Sequence, residues 1–250
     1  MSAYDALAAS YDGLMADGAY RRRAAFLERR LKKSRIPVHT ILDLACGTGT
    51  MACLLAERGY EVLAADGSGE MLTQAAEKAA ELEHPPLFLL QAMPKLRLAR
   101  PADAVVSTLD SLNYLTRERE LQETLRRVRR WLKPGGLFLF DVNTPEKLEA
   151  LDGQVFLDET EDAYCVWRTE FSKRSRICSY FMDIFRLDPA AGRWDRGEEL
   201  HRERAYTPAE LTAMLEAAGF TGVRAWGERK LRPPKPGEQR IFFTARKDKQ

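Results

Sequence analysis

Residues that bind metals are scarce in this chain: it has three histidines and four cysteines. Cys46, Cys53, Cys165 and Cys178 form no C-x-x-C pair, and no histidine stands near them, so no metal site is expected. Long apolar runs are missing too. No segment approaches the ~18 apolar residues that a membrane span needs, and the first residues do not resemble a signal peptide. Charge of one sign is also absent, with 39 Lys+Arg against 37 Asp+Glu. That balance argues against a polyanion binder whose whole surface is basic. The local runs RRR (21–23) and RRVRR (126–130) read as solvated helix faces. Free thiols suit a reducing compartment, so a cytoplasmic location with no membrane partner is expected.

What is present fits one α/β domain with an insertion. At this length folding hides roughly 70–75% of the unfolded surface, so the core needs no disulfide or metal. Residues 3–33 read as helical. Strands are expected at 40–45, 61–66, 87–91, 102–108 and 137–142, with helices at 50–58, 69–82 and 117–132 between them. Lys133-Pro134-Gly135-Gly136 reads as a turn. The apolar runs lack strict alternation, as in strands buried on both faces. Alternating strands and helices give a doubly wound, mostly parallel α/β sheet.

The pattern changes after the fifth strand. Residues 155–205 hold β-rich runs with no helical period, which reads as an antiparallel insertion. Thr207, Pro208 and Glu210 form a helix start, with Thr as N-cap, Pro at N1 and Glu at N3. That helix ends at Gly219. Two strands, near 220–228 and 238–246, complete a seven-stranded sheet. The organisation expected is an N-terminal helical segment (1–35), a Rossmann-like α/β unit (36–152 and 206–250) and an antiparallel β insertion (153–205).

The stretch ILDLACGTGT (41–50) carries an acid, Asp43, in an apolar strand. An unpaired carboxylate there costs several kcal/mol, so a cation or a donor-rich group should sit beside it. The glycine turn Gly47-Thr48-Gly49-Thr50-Met51-Ala52 fits the relaxed dinucleotide fingerprint, with Asp66 ending the second strand. Alone this signal is weak, because an NAD enzyme could carry it. Asp43 ahead of the glycines, LKPGG before the fifth strand and STLDSLNYL (107–115) after the fourth add to it.

Together these features resemble the class I S-adenosylmethionine-dependent methyltransferases. The resemblance covers residues 1–150 and, less closely, the last helix and strands. YDALAASYDGLM (4–15) and FDVNTPEKL (140–148) are similar to a bacterial small-molecule subgroup near the sugar-amine and glycine-type N-methyltransferases. The resemblance implies S-adenosylmethionine (SAM) as cofactor. It implies that Asp43 orients the glycine loop and holds the cationic methionyl end, where a charged partner lowers the cost of burial. Gly47 and Gly49 let the backbone approach the cofactor. Asp66 would accept the ribose hydroxyls, or else cap a helix. Ala45 stands where the family usually has glycine. Ala92 stands where an acid often contacts the adenine amine, so a backbone carbonyl or water would substitute. Met93 neighbours adenine, and Leu109 packs on its ring or belongs to the core. Gly67, Met71 and Asp110 complete the implied cofactor set, with Tyr11 closing over it.

Methyl transfer from a sulfonium to a neutral amine needs alignment and dryness more than acid–base groups, and positioning can supply roughly 7–11 kcal/mol. Candidates for the acceptor side are Tyr4 and Tyr11 on the first helix, Asn113 and Tyr114 after the fourth strand, and Trp167 and His201 in the insertion. Tyr4 and Tyr11 share a helix face and either form a lid or pack the helix on the domain. His201 is either a surface strand residue or a pocket residue able to take a proton; Tyr114 and His201 are the catalytic candidates. Arg202 and Arg204 would point the opposite way, to solvent. A small-molecule nitrogen or oxygen acceptor, methylated by direct displacement, is the reading these residues favour. A nucleic-acid methyltransferase, an NAD(P) oxidoreductase and a non-catalytic SAM-binding module remain as alternatives. The first is disfavoured by the lack of an Asn/Asp-Pro-Pro-aromatic run after the fourth strand. A monomer or homodimer is expected, since the insertion's edge strands could pair.

Overall fold

The computed structural model describes residue 8 and residues 11–14, 18–228 and 232–248. Tyr4 lies outside them. Helices α1 (Tyr11–Leu14) and α2 (Gly18–Leu31) lie within the stretch expected as one helix. Then β1 (Thr40–Leu44), α3 (Thr50–Ala56), β2 (Glu61–Asp66), α4 (Gly69–Ala79), β3 (Leu87–Leu90), β4 (Ala102–Ser107), α5 (Glu118–Trp131) and β5 (Leu132–Asn143) alternate.

These strands belong to a seven-stranded sheet of order β10-β11-β5-β4-β1-β2-β3, completed by β10 (Thr221–Gly227) and β11 (Arg240–Arg246). β1 pairs in parallel with β2 and β4, and β11 runs antiparallel to both β5 and β10. Every residue of β1 and β4 is buried. One apolar cluster packs α5 and α7 (Pro208–Ala217) against one face, and a second packs α2 and α3 against the other. The LKPGG segment is no separate turn. It is an excursion carried inside β5, as the register passes from Ala102↔Leu132 to Ala104↔Leu137. Its peptides bond the chain beyond β11: Gly135 N–H donates to the Lys247 carbonyl at 2.9 Å.

A short helix, α6 (Pro145–Ala150), follows β5 and was not expected from the pattern. Thr144 caps it by accepting from Lys147 N–H. The insertion is a four-stranded antiparallel meander: β6 (Val155–Glu159), β7 (Ala163–Ser172), β8 (Ile177–Asp188) and β9 (Arg193–Arg204). The capping box of Thr207 and Glu210 starts α7, with Pro208 in the first turn. Among the described residues no helix is long and apolar enough to cross a membrane.

Candidate functional site

In open α/β sheets ligands gather at the carboxyl ends of the strands. A cavity of about 230 Å³ opens there, beyond β1, β2 and β4. Asp43 reaches it from β1, between Ala64 of β2 and Val106 of β4. Its side chain is 1% exposed, and among the described residues its Oδ2 has no hydrogen-bond partner. Desolvation, and then the nearby Asp66 charge, push the Asp43 carboxyl up to about 7. A buried acceptor with an open lone pair facing a cavity calls for a cationic donor there.

Asp66 lines the same cavity at the end of β2. It accepts from Gly47 N–H at 2.8 Å and Ser68 N–H at 2.9 Å, so it shapes the loop and starts α4. Burial raises this acid while the backbone donors from Ser68, Gly47 and Gly67 pull it back. A carboxylate offers about four lone-pair sites, which leaves capacity for a ligand. Gly47 has φ +54 with nothing within 4 Å of a Cβ placed on it; Gly49, at φ +74, would drive a Cβ to 2.8 Å from Ala75 Cβ. Gly49 therefore lets α4 pack under the loop and is not itself in the cavity wall. Ala45 is left-handed too, at φ 60, which explains why a glycine suits that position.

Ala45, Gly67, Met71, Ala92, Met93 and Leu109 line the cavity. Ala92 offers no side-chain acceptor, and its carbonyl already accepts from Lys95 N–H at 2.9 Å. Leu109 serves the core as well, packing against the cluster under α2 and α3. Asp110 is not in the wall. Its carboxylate pairs with Arg240 of β11 at 2.5 Å, and Arg240 also pairs with buried Asp141 of β5. Asp141 in turn accepts from Leu109 N–H at 3.0 Å and Asp110 N–H at 3.4 Å. Leu109 and Asp110 both hold positive φ, 60 and 55. Two consecutive left-handed residues without a glycine are costly, and the ion triad holds them.

The N-terminal helices close one side. Tyr11 and Tyr20 both line the cavity. They share a hydrogen bond, and burial pushes the Tyr11 hydroxyl up to about 12. Tyr11 also packs against Cys165 and Ile184 of the insertion.

Tyr114 lines the cavity from the loop after β4. His201 does not; it is 3% exposed, behind Tyr114, with Nδ1 3.2 Å from the Tyr114 hydroxyl. Its Nε2 lies 2.5 Å from Glu199 Oε2. A carboxylate at Nε2 holds the proton on that nitrogen, so Nδ1 accepts from Tyr114. The sequence pattern named His201 and missed Glu199. The signal was period two: Glu199, His201 and Glu203 share a face of β9, while Arg202 on the other face is exposed. Arg204 departs from its expected place in solvent, pairing with Glu118 at 2.5 Å.

Two further acceptor-side candidates also lie outside the cavity. Asn113 is fully buried; its amide donates to the Asn143 and Arg204 carbonyls and accepts from Asn143 N–H at 3.1 Å. It is spent on tying β9 to β5. Trp167 donates to Asp158 at 2.8 Å and stacks on Phe156 at 4.4 Å, inside the insertion's own packing. The wall also holds residues the pattern did not single out, among them Cys46, Thr48, Met51, Gln91, Ser111 and Leu115. Cys46, Thr48, Gln91 and Leu115 sit in loops, where polarity alone does not separate ligand contacts from solvent contacts.

A methyltransferase-domain family matches residues 41–136. The chain is 36% identical over 249 residues to YqeM of Bacillus subtilis (strain 168), named as a methyltransferase, covering 98% of each. It is 33% identical to a Streptomyces venezuelae dTDP-3-amino-3,4,6-trideoxy-alpha-D-glucopyranose N,N-dimethyltransferase, over 76% of this chain and 79% of that one. The crystal structure of an S-adenosylmethionine-dependent methyltransferase from Clostridium acetobutylicum ATCC 824 superposes with a TM-score of 0.83 at 25% identity, over 98% of this chain and 96% of that one. With the sheet order and the orphaned acid of β1, these matches place the chain in the S-adenosylmethionine-dependent methyltransferases.

Proposed function

We propose that the protein methylates a nitrogen or oxygen of a small molecule by direct displacement, using SAM held in the cavity beyond β1, β2 and β4. The observation that carries the reading is Asp43, a buried carboxylate whose Oδ2 lacks a partner among the described residues. The methionyl ammonium of SAM is the donor that position needs. Asp66 accepts the ribose hydroxyls, and the apolar wall of Met71, Met93 and Leu109 takes the adenine. When bound, SAM supplies the methyl group on a positively charged sulfur. The chain's own residues align the acceptor, exclude water and receive a proton.

Tyr114 is the group that meets the acceptor, with His201 and Glu199 positioned behind it as a proton sink. A protonated amine donates to the Tyr114 oxygen, and the Tyr114 proton passes to Nδ1 of His201. The antiparallel insertion covers the acceptor, and α1 is the lid. A small acceptor is also supported by the Streptomyces venezuelae relative, whose name places its methyl groups on an amino sugar. The loop STLDSLNYL supports it too, since it lacks the proline-aromatic run that stacks a flipped base.

The test is a mass-resolved screen of amine and hydroxyl metabolites with isotope-labelled SAM, beside tRNA and rRNA. Labelling of a small molecule is expected. Labelling confined to RNA would overturn the reading. A second test trims residues 155–203 to a short turn; SAM binding should persist while turnover is lost.

A further inference from the structure

A second recess, of about 350 Å³, lies at the opposite end of the sheet. Arg30 of α2, Lys33, Arg224 of β10 and Arg246 of β11 line it, with Trp226 and Thr244. Arg246 pairs in register with Leu137, near the start of β5's paired run. The recess therefore opens where the parallel strands begin and shares no residue with the cavity that Asp43 faces.

Its charges are uncompensated among the described residues. Among the described residues none of Arg30, Lys33, Arg224 and Arg246 is in an ion pair, although elsewhere cations are paired, as in Arg127–Glu123 and Arg176–Glu210. The Arg30 guanidinium lies 3.4 Å over the Trp226 ring, which fixes its plane. Arg30 Nε and Nη2 and Arg246 Nε are buried without a partner among the described residues. Desolvation, then Arg224 and Arg246, lowers the hold of Arg30 on its proton. Buried donors left unmade, among like charges, destabilise a fold unless an anion joins them.

We propose that this recess binds a small phosphoanion carrying two or more charges, such as a diphosphate or a phosphate monoester. Planar guanidinium forks match phosphate oxygens. The four cationic side chains line one recess beside Trp226 and Thr244, which suits a compact ligand better than a nucleic-acid backbone lying across a surface.

The experiment is calorimetric titration of inorganic pyrophosphate into the full chain, in low salt, with S-adenosylhomocysteine present to fill the cofactor cavity. One saturable site is expected, with affinity falling as salt rises. The double variant Arg224→Gln/Arg246→Gln, which leaves the Arg30–Trp226 stack in place, should lose about tenfold or more in pyrophosphate affinity. Its S-adenosylhomocysteine affinity should be unchanged, which shows that it is folded. No binding by the parent chain, or equal binding by the variant, would overturn the proposal. So would a single-stranded RNA oligonucleotide that binds through these arginines and is not displaced by pyrophosphate.

Discussion

Asp12 of α1 and Lys78 of α4 form an ion pair at 2.5 Å that crosses the glycine loop. The Thr48 and Thr50 hydroxyls donate to the same carboxylate, at 2.8 and 3.2 Å. Helix α1 is thereby fastened to the loop that Gly47 and Asp66 shape. The pair is partly exposed, so its own contribution is small. Asp12→Ala should weaken SAM binding by about 1 kcal/mol, roughly fivefold in Kd, with little change in thermal midpoint. Equal affinity by calorimetry would separate α1 from cofactor retention.

Asp43 sets an opposition between stability and binding. Its folded-state carboxyl is raised to about 7, above the unfolded value of about 3.9. Such an acid favours the ligand-free fold fully below the unfolded value and loses that contribution as pH rises through about 7. Asp43→Asn should therefore raise the ligand-free thermal midpoint at pH 8, by about 2–4 °C per kcal/mol recovered. The same change should weaken SAM at least about tenfold. In the parent chain SAM affinity should fall as pH drops through about 7, because the protonated acid no longer attracts an ammonium. A pH-independent affinity would place the cationic end of the ligand elsewhere.

Ala45 sits at φ 60. The left-handed conformation costs a non-glycine residue about 1–2 kcal/mol, partly offset by the unfolded-state entropy of glycine. Ala45→Gly should stabilise the chain by about 0.5–1 kcal/mol, read as denaturant midpoint. A destabilised variant would show that the Ala45 methyl group fills space that matters.

In the Asp110–Arg240–Asp141 triad, Asp141 and Arg240 are buried and Asp110 is half-buried. Removing one member strands the others. Arg240→Gln should cost about 3–5 kcal/mol and release the strained Leu109–Asp110 turn, so the remaining fold should bind SAM more weakly. Stability within about 1 kcal/mol of the parent chain would mean that the triad is dispensable.

Glu199 and His201 act through Tyr114 in the proposed reaction. Once an acceptor is found, His201→Gln should lower kcat roughly tenfold to a hundredfold while leaving the KM for SAM unchanged. Glu199→Gln should lower kcat by a smaller factor, again with the KM for SAM unchanged. An unaltered kcat in both variants would reduce the pair to packing.

The sheet was legible because its signals are local. Runs such as ILDL and ADAVVS are buried on both faces, and the glycine turn, Asp66 and the Thr207 capping box are chemistry within a few residues. The same locality exposed Asp43, since an acid in an apolar strand is anomalous wherever the strand lies. α6 was missed because six residues present too little periodicity. LKPGG misled because its turn chemistry is real, while the bonds that draw it into β5 come from Lys247, far along the chain.

The sequence by itself determined the doubly wound sheet, the glycine loop and the two acids at its strand tips, because periodicity, turn residues and an isolated charge are properties of short segments. Tertiary structure alone decided that Asn113 ties strands together, that Asp110 answers to Arg240, that His201 stands behind Tyr114, and that four cations meet around Trp226. Each of those roles depends on which distant residue fills the space opposite, and that is fixed only when the layers pack.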